Sequence, residues 1–429
     1  MLKHVELSEL EIGMFVHKMD GGWFDHPFWK SNFLIEDSKR LQTLKSSKLR
    51  GVVIDTAKGR DVSPPAPQAT AASALAAPQE SGPTAALVNK RIRSISNRSK
   101  RDEAPPKPAT IAQELHAAEA IAARAKENLH KAFIAARLGR ALNVKAVEPV
   151  VSDILASVKR NPHAFSSLMR CKLQNELMFR HALSVSALMV SLARKMKLPE
   201  HEIRNCGMAG LMLDIGVNYL PQNLDPPNGD FRNAEPEIWR QHVMLGYRAL
   251  ANDGDLPQTV LDTVLEHHER IDGTGFPKAL YGHQISKFAR MAAICDTFDF
   301  LLSQSSTAAT PDPAAVIQQM TAMTGAFDED ILRHFIESVG LYPVGSFVRL
   351  HSDKLAMVID EDHKDHTRPV VQAFYSLTEG RQVKPHRIEL ARPGEKDRIR
   401  EIADLTGLDL PDAPYLRERL FLSTYKNTH

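Results

Sequence analysis

The stretch "TVLEHHERIDGTGFP", residues 263–277, decides how this chain is read. Its first half has helical character and ends in two adjacent histidines, an acid and an arginine. Its second half is a glycine-broken turn that closes on Phe-Pro. His267 and His268 differ by about 100° around a helix axis, so they can flank one ion near the helix end. Gly273 and Gly275 give the turn the unusual φ values it needs. A helix-ending loop with free N–H groups suits a phosphate. The plainer reading of "DGTGFP" is a helix stop followed by a tight turn, and the two readings are compatible.

Helical periodicity extends outward on both sides. It begins at residue 109 and recurs at about 145–160, 174–197, 200–213, 235–253, 257–270, 285–303, 311–323 and 328–339. Along these helices His181, Asp214, His242, His267/His268 and Asp296 recur, each on a different helix or near its end. A bundle core can gather such side chains into one metal site. Imidazole plus carboxylate suits iron, manganese, nickel or zinc without choosing among them. Against this, the chain has 18 histidines, and a lone helical histidine is more often a satisfied polar residue than a ligand. Asp296, inside the apolar run "ICDTFDFLL", is the stronger case, because a buried carboxylate needs a cation or a hydrogen-bonding partner.

The flanks differ. Residues 1–57 contain "GMFVHKM", "NFLIED" and "GVVIDT", short runs of branched and aromatic residues punctuated by glycine, and read as a small β-rich module. Residues 58–108 are rich in Pro, Ala, Ser and Gln and read as a disordered linker. The linker holds "NKRIRSISNRSKR" (89–101), six basic side chains without an acid. With no aromatic residue for stacking, this run reads as a solvated segment rather than a nucleic-acid contact. Strand chemistry returns in "PVGSFVRLHSDKLAMVIDED" and "RPVVQAFYS". The expected fold is mainly α: a helical-bundle domain at 109–340, preceded by the β-rich module and followed by a short β-containing tail at 341–429.

Composition narrows the setting. Hydrophobic residues make up 43% and charged residues 25%, the balance of a soluble globular protein. A formal net charge of +2 gives no global reason to bind nucleic acid. Cys171, Cys206 and Cys295 form no CxxC pair, which argues against a disulfide framework or a cysteine zinc site. No apolar run reaches about 18 residues, and the first residues lack a signal-peptide pattern, so a cytoplasmic protein without a membrane span is expected.

Together the motifs carry a resemblance. "HHERIDGTGFP" resembles the signature of the HD-GYP family of HD phosphohydrolases, with Phe276 in place of the signature tyrosine. "RHALSVSALMVSLARKMKL" looks like the family's first ligand helix, "AGLMLDIGVNYLP" its histidine–aspartate segment, "RQHVMLGYRAL" its lone-histidine helix and "RMAAICDTFDFLL" its final aspartate helix. These five motifs lie in order within residues 165–305, and the N-terminal stretch resembles an uncharacterised module that often precedes such domains. The resemblance implies a bacterial signal-transduction enzyme, a metal-dependent phosphodiesterase that opens cyclic di-GMP to its linear dinucleotide. It implies one or two divalent transition-metal ions, iron or manganese, held by His181, Asp214, His242, His267, His268 and Asp296. Asp214 and Arg270 are then the catalytic residues. Arg270, Asp272, Gly273, Gly275, Phe276 and Pro277 contact substrate, and other signalling proteins are the remaining partners.

The match departs from the family where the histidine of the histidine–aspartate pair is Leu213 and a following lysine is Val217. Leucine cannot ligate a metal and valine cannot counter a phosphate. Two readings therefore stand: an enzyme of reduced rate, and a catalytically silent module that binds nucleotide or partner proteins. A helical scaffold with remnant histidines is the bland third.

Overall fold

The computed structural model describes residues 2–20, 33–35, 38–45, 51–60, 108–137, 144–172, 177–221, 235–252, 256–303, 311–362 and 365–426. The linker expected at 58–108, beyond its first three residues and its last, and the basic run within it, lie outside them. The chain forms two compact units, residues 1–101 and 102–429.

In the first unit, β1 (Leu2–Val5), β2 (Phe15–Asp20), β3 (Phe33–Leu34) and β4 (Gly51–Asp55) form an antiparallel sheet of order β1-β4-β2-β3, with α1 (Ser38–Lys45) between β3 and β4. Val5, Leu10, Met14, Val16, Ile35, Leu44, Val52 and Ile54 make its core. The three runs of branched residues read from the sequence are β2, β3 and β4. The first strand and the helix carry weaker patterns.

The second unit opens with α2 (Ile111–Arg137), α3 (Glu148–Arg160), α4 (Ala164–Cys171), α5 (Leu177–Lys195) and α6 (Glu200–Met212). A 3-10 turn at Ile215–Tyr219 leads on to α7 (Pro236–Trp239), α8 (Gln241–Ala251), α9 (Gln258–Glu266), α10 (Lys287–Ser303), α11 (Pro313–Ala322) and α12 (Glu329–Val339). Local chemistry fixes the ends. Asp312 and Asp328 cap α11 and α12 by accepting the N–H groups of Ala314 and Ile331. α12 stops at Gly340, whose φ is +88°. α10 is buried on nearly every side, so its acids sit in the core.

The tail carries the strands expected of it. β5 (Phe347–Leu350), β6 (Lys354–Asp360), β7 (Val370–Ser376), β8 (Arg381–Glu389) and β9 (Ile399–Ile402) form a five-stranded antiparallel sheet of order β8-β7-β6-β5-β9. α13 (Ala413–Lys426) packs against it. Phe347, Val348, Leu355 and Phe421 belong to the same apolar core as the helices of the bundle. Buried Arg417 of α13 donates from Nε to the Gly345 carbonyl at 2.8 Å.

Candidate metal centre

Six side chains converge from five places in the bundle. His181 comes from α5, Asp214 from the residues just after α6, His242 from α8, His267 and His268 from the end of α9, and Asp296 from α10. They form two groups that share one carboxylate. Asp214, His242, His267 and His268 make the first, and His181, Asp214 and Asp296 the second; within each, the donor atoms all lie within 4.8 Å of one another. The Asp214 Oδ1 atom is 3.3 Å from His242 Nε2 and 3.7 Å from His267 Nε2. The other oxygen, Oδ2, is 3.4 Å from His181 Nε2, which is itself 3.1 Å from Asp296 Oδ1.

Backbone packing sets part of this spacing. The 3-10 turn after Asp214 lies so close to α8 that a Cβ at Gly216 would sit 1.9 Å from the His242 carbonyl oxygen. Only glycine fits there, and the contact ties Asp214 to His242.

The far side of each ring is also fixed. His242 Nδ1 is 2.6 Å from the Trp239 carbonyl, and His267 Nδ1 is 2.8 Å from the Val264 carbonyl. A carbonyl can only accept, so both Nδ1 atoms carry the proton and both Nε2 lone pairs face Asp214. His181 Nδ1 instead donates to Asp299 Oδ2 at 2.8 Å, and Ser184 donates to the other oxygen of Asp299. Such outer partners orient ligand imidazoles and raise their basicity.

The electrostatics separate the groups. Burial pushes His267 down to about 4, and burial reinforced by the neighbouring imidazoles pushes His268 well below the usual histidine range. Burial opposes charge on His181 too, but its close pairing with Asp296 and Asp299 and the charges of Asp299 and Asp214 overcome it and hold His181 up at about 10. Burial would raise Asp214, yet its close pairing with His242 and the surrounding imidazoles keep it below the carboxylate range. Asp299 is likewise held down, against burial, by the bond from His181.

The residues fit a metal ion. Buried His181 Nε2, Asp214 Oδ1 and His268 Nε2 have no hydrogen-bond partner. Orphaned buried polar atoms are costly, and three of them in one imidazole–carboxylate cluster make a donor set for a divalent transition metal.

Beside the cluster lies a cavity of about 320 Å³. Asp214, His268 and Asp296 form its polar floor, with Trp239, Phe276, Phe300 and Phe327 among its walls. Arg270 reaches the same cavity, with Nη2 3.2 Å from the Thr297 hydroxyl and its guanidinium over the Phe327 ring. Burial lowers the Arg270 pKa, against the charges of Asp296, Asp272 and Glu269.

Of the turn residues read as substrate contacts, Arg270 and Phe276 line the cavity. Asp272, Gly273, Gly275 and Pro277 are absent from its lining. Asp272 accepts from the Thr274 amide and hydroxyl at 2.9 and 2.6 Å. A Cβ on Gly275 would lie 2.4 Å from Glu269 Cα, so these residues let the turn fold against the end of α9. The expectation of free amides is corrected at four positions. The N–H groups of Gly273, Thr274, Phe276 and Lys278 are bonded to the Arg270 carbonyl, Asp272, the His268 carbonyl and Glu269. These four amides are committed within the turn and the end of α9.

Sequence reasoning missed Asp299 and Trp239. The signal for Asp299 was its place three residues after Asp296 on one buried helix. Trp239 had none, because its role depends on the start of α8.

Comparisons with known proteins agree with this geometry. Residues 149–331 match the HD domain family, and residues 2–147 match a domain of unknown function, DUF3391. The second match runs past α2, although that helix packs into the core of the bundle. A protein of Pseudomonas aeruginosa named cyclic di-GMP phosphodiesterase is 35% identical over 400 residues, 93% of this chain and 91% of its own length. A cyclic di-GMP phosphodiesterase of Borreliella burgdorferi is 23% identical over 205 residues, 47% of this chain and 53% of that one. A solved HD-GYP-type protein from Bdellovibrio bacteriovorus aligns over 78% of this chain and 98% of its own, at 18% identity and a TM-score of 0.43, too distant to add to the assignment. The fold and donor set define an HD-domain protein. With a relative aligned over nearly the whole of both chains, the chain belongs to the HD-GYP branch of that family.

Proposed function

We propose that this chain is a metal-dependent phosphodiesterase that hydrolyses cyclic di-GMP to the linear dinucleotide. The observation that carries the reading is the convergence of two donor groups, with three orphaned polar atoms, beside one cavity that Asp214, His268 and Asp296 line. The activity named for the Pseudomonas relative supports the choice of substrate.

In this reading His242, His267, His268 and Asp214 hold one divalent ion, and His181, Asp214 and Asp296 hold a second more weakly. When bound, such an ion polarises the phosphoryl oxygen and lowers the pKa of a water. The protein's own groups do the rest. Arg270 offsets negative charge on the phosphate from the cavity wall. Asp299 holds the His181 ring in place. The apolar walls thin the water around the scissile bond, which strengthens every electrostatic contact inside. Iron or manganese is the proposed metal, as the family resemblance implies; the donor set by itself also suits nickel and zinc. The role is that of a cytoplasmic signalling enzyme with the 1–57 module as its input, the 58–108 segment as linker, 109–340 as the catalytic domain and 341–429 as its extension.

The rate is proposed to be reduced. Leu213 stands where the family resemblance puts a histidine, and it leaves the second group with three donors. The catalytically silent alternative draws on one observation: the Leu213 and Val217 side chains are 1% and 4% exposed, packed as apolar residues beside the site. Cyclic di-GMP turnover by manganese-loaded and iron(II)-loaded protein separates the readings. Appearance of the linear dinucleotide supports the enzyme. Tight binding without product supports the silent module, and the absence of both turnover and binding overturns both readings.

A further inference from the structure

We infer that Trp239 is the base-stacking residue of this site and takes a purine base of the substrate. The inference rests on the reading of the cavity as a cyclic di-GMP site. Trp239 ends α7, immediately before the helix that carries His242. Its carbonyl fixes the His242 tautomer, and its indole stacks on the same imidazole, with ring centroids 4.0 Å apart and planes at 30°. The indole also meets His268 edge-on at 6.3 Å. It is half-buried and lines the cavity whose floor is Asp214, His268 and Asp296. One side chain therefore touches the donor group and forms the wall of the space beside it.

The other aromatic next to the ligands is less available. Phe276 stacks on His268 at 4.6 Å and lies 5.2 Å from the Arg240 guanidinium. Among the described residues, the face-on partner of Trp239 is His242 alone. A phosphodiester whose phosphorus sits over the donor cluster must place its flanking nucleoside against the nearest wall. At about 320 Å³ the cavity is at the lower end of the range of small-molecule pockets, so it encloses part of a dinucleotide. An indole face suits a purine because both are large planar π systems.

The test uses full-length, manganese-loaded protein and compares dissociation constants for GMP and ribose 5-phosphate, which lacks the base. Stacking of one base is worth about 5- to 150-fold in affinity, so the native protein should prefer GMP by that order. Trp239→Leu keeps an apolar side chain but removes the π face, and should bring the two ligands to near-equal affinity. Trp239→Phe should keep most of the preference. Manganese content, measured on each variant, shows whether the His242 side of the cluster is intact. A GMP preference that survives Trp239→Leu with full manganese content overturns the inference and leaves the proposed function standing. If the native protein neither prefers GMP nor turns over cyclic di-GMP, the proposed function fails and this inference fails with it.

Discussion

The two donor groups share Asp214 and sit in one core, yet they differ in how each is prepared for a cation. In the first, His242 and His267 are held by backbone carbonyls, and burial keeps His267 and His268 neutral. In the second, the single imidazole, His181, lies among three carboxylates, those of Asp214, Asp296 and Asp299. That group already holds a cation in the absence of metal: the proton of His181. The first group offers lone pairs, and the second offers negative charge that a proton has partly claimed. Metal ligation and protonation compete for the same nitrogen, so the two groups should load in sequence, the four-donor group first.

The strongest way to break this comparison is to remove what the groups share. Asp214→Asn should lower metal affinity at both groups, by more than the roughly 10- to 100-fold that loss of an outer partner costs. Metal analysis after dialysis should then find neither ion, and retention of one full equivalent would show that the groups are independent. Asp299→Asn sharpens the contrast, because Asp299 touches only the second group. It should weaken the second ion by about 10- to 100-fold and leave the first unchanged, read by manganese titration with electron paramagnetic resonance.

A smaller effect comes from pH. His181 is held at about 10 without metal. Below that value its proton must leave before an ion binds, so second-site affinity should rise about tenfold per pH unit from neutrality toward 10. In the first group His267, at about 4, and His268, held well below the usual range, should add no such slope near neutral pH. Calorimetry in buffers of different ionisation enthalpy should find close to one proton released for the second ion. Smallest in energy is Leu213→His. If the lost imidazole limits loading, this change should raise occupancy toward two ions with stability kept. If the pocket has repacked around the leucine, the fold should weaken by about 1–3 kcal/mol with no metal gained, read as a fall in Tm.

Much of the bundle was legible because its helices are amphipathic or punctuated. The stretches read at 200–213 and 328–339 are α6 and α12 to within a residue. α4 escaped because it is short: "AFSSLMRC" spaces Phe165, Leu168 and Met169 as a helix does, but over only eight residues, too few for a period to stand out. β8 escaped for the opposite reason: "RQVKPHRIE" is exposed along most of its length and carries a proline. An edge strand tolerates both, but neither alternates. The six donors were legible as residue types at helix-sized intervals. Their outer partners were not, because Asp299 meets His181 across 118 residues of chain and Trp239 acts through a carbonyl that any residue type possesses. The turn at 270–278 was legible in shape, but the destinations of its amides were not.

The close approach at Gly216 has one more consequence. The gap between Asp214 and His242 is gauged by main chain against main chain, since a Cβ there would meet the His242 carbonyl at 1.9 Å. Neighbouring side chains can change without resetting that gauge. The frame that spaces these two side chains is therefore separable from the side chains themselves.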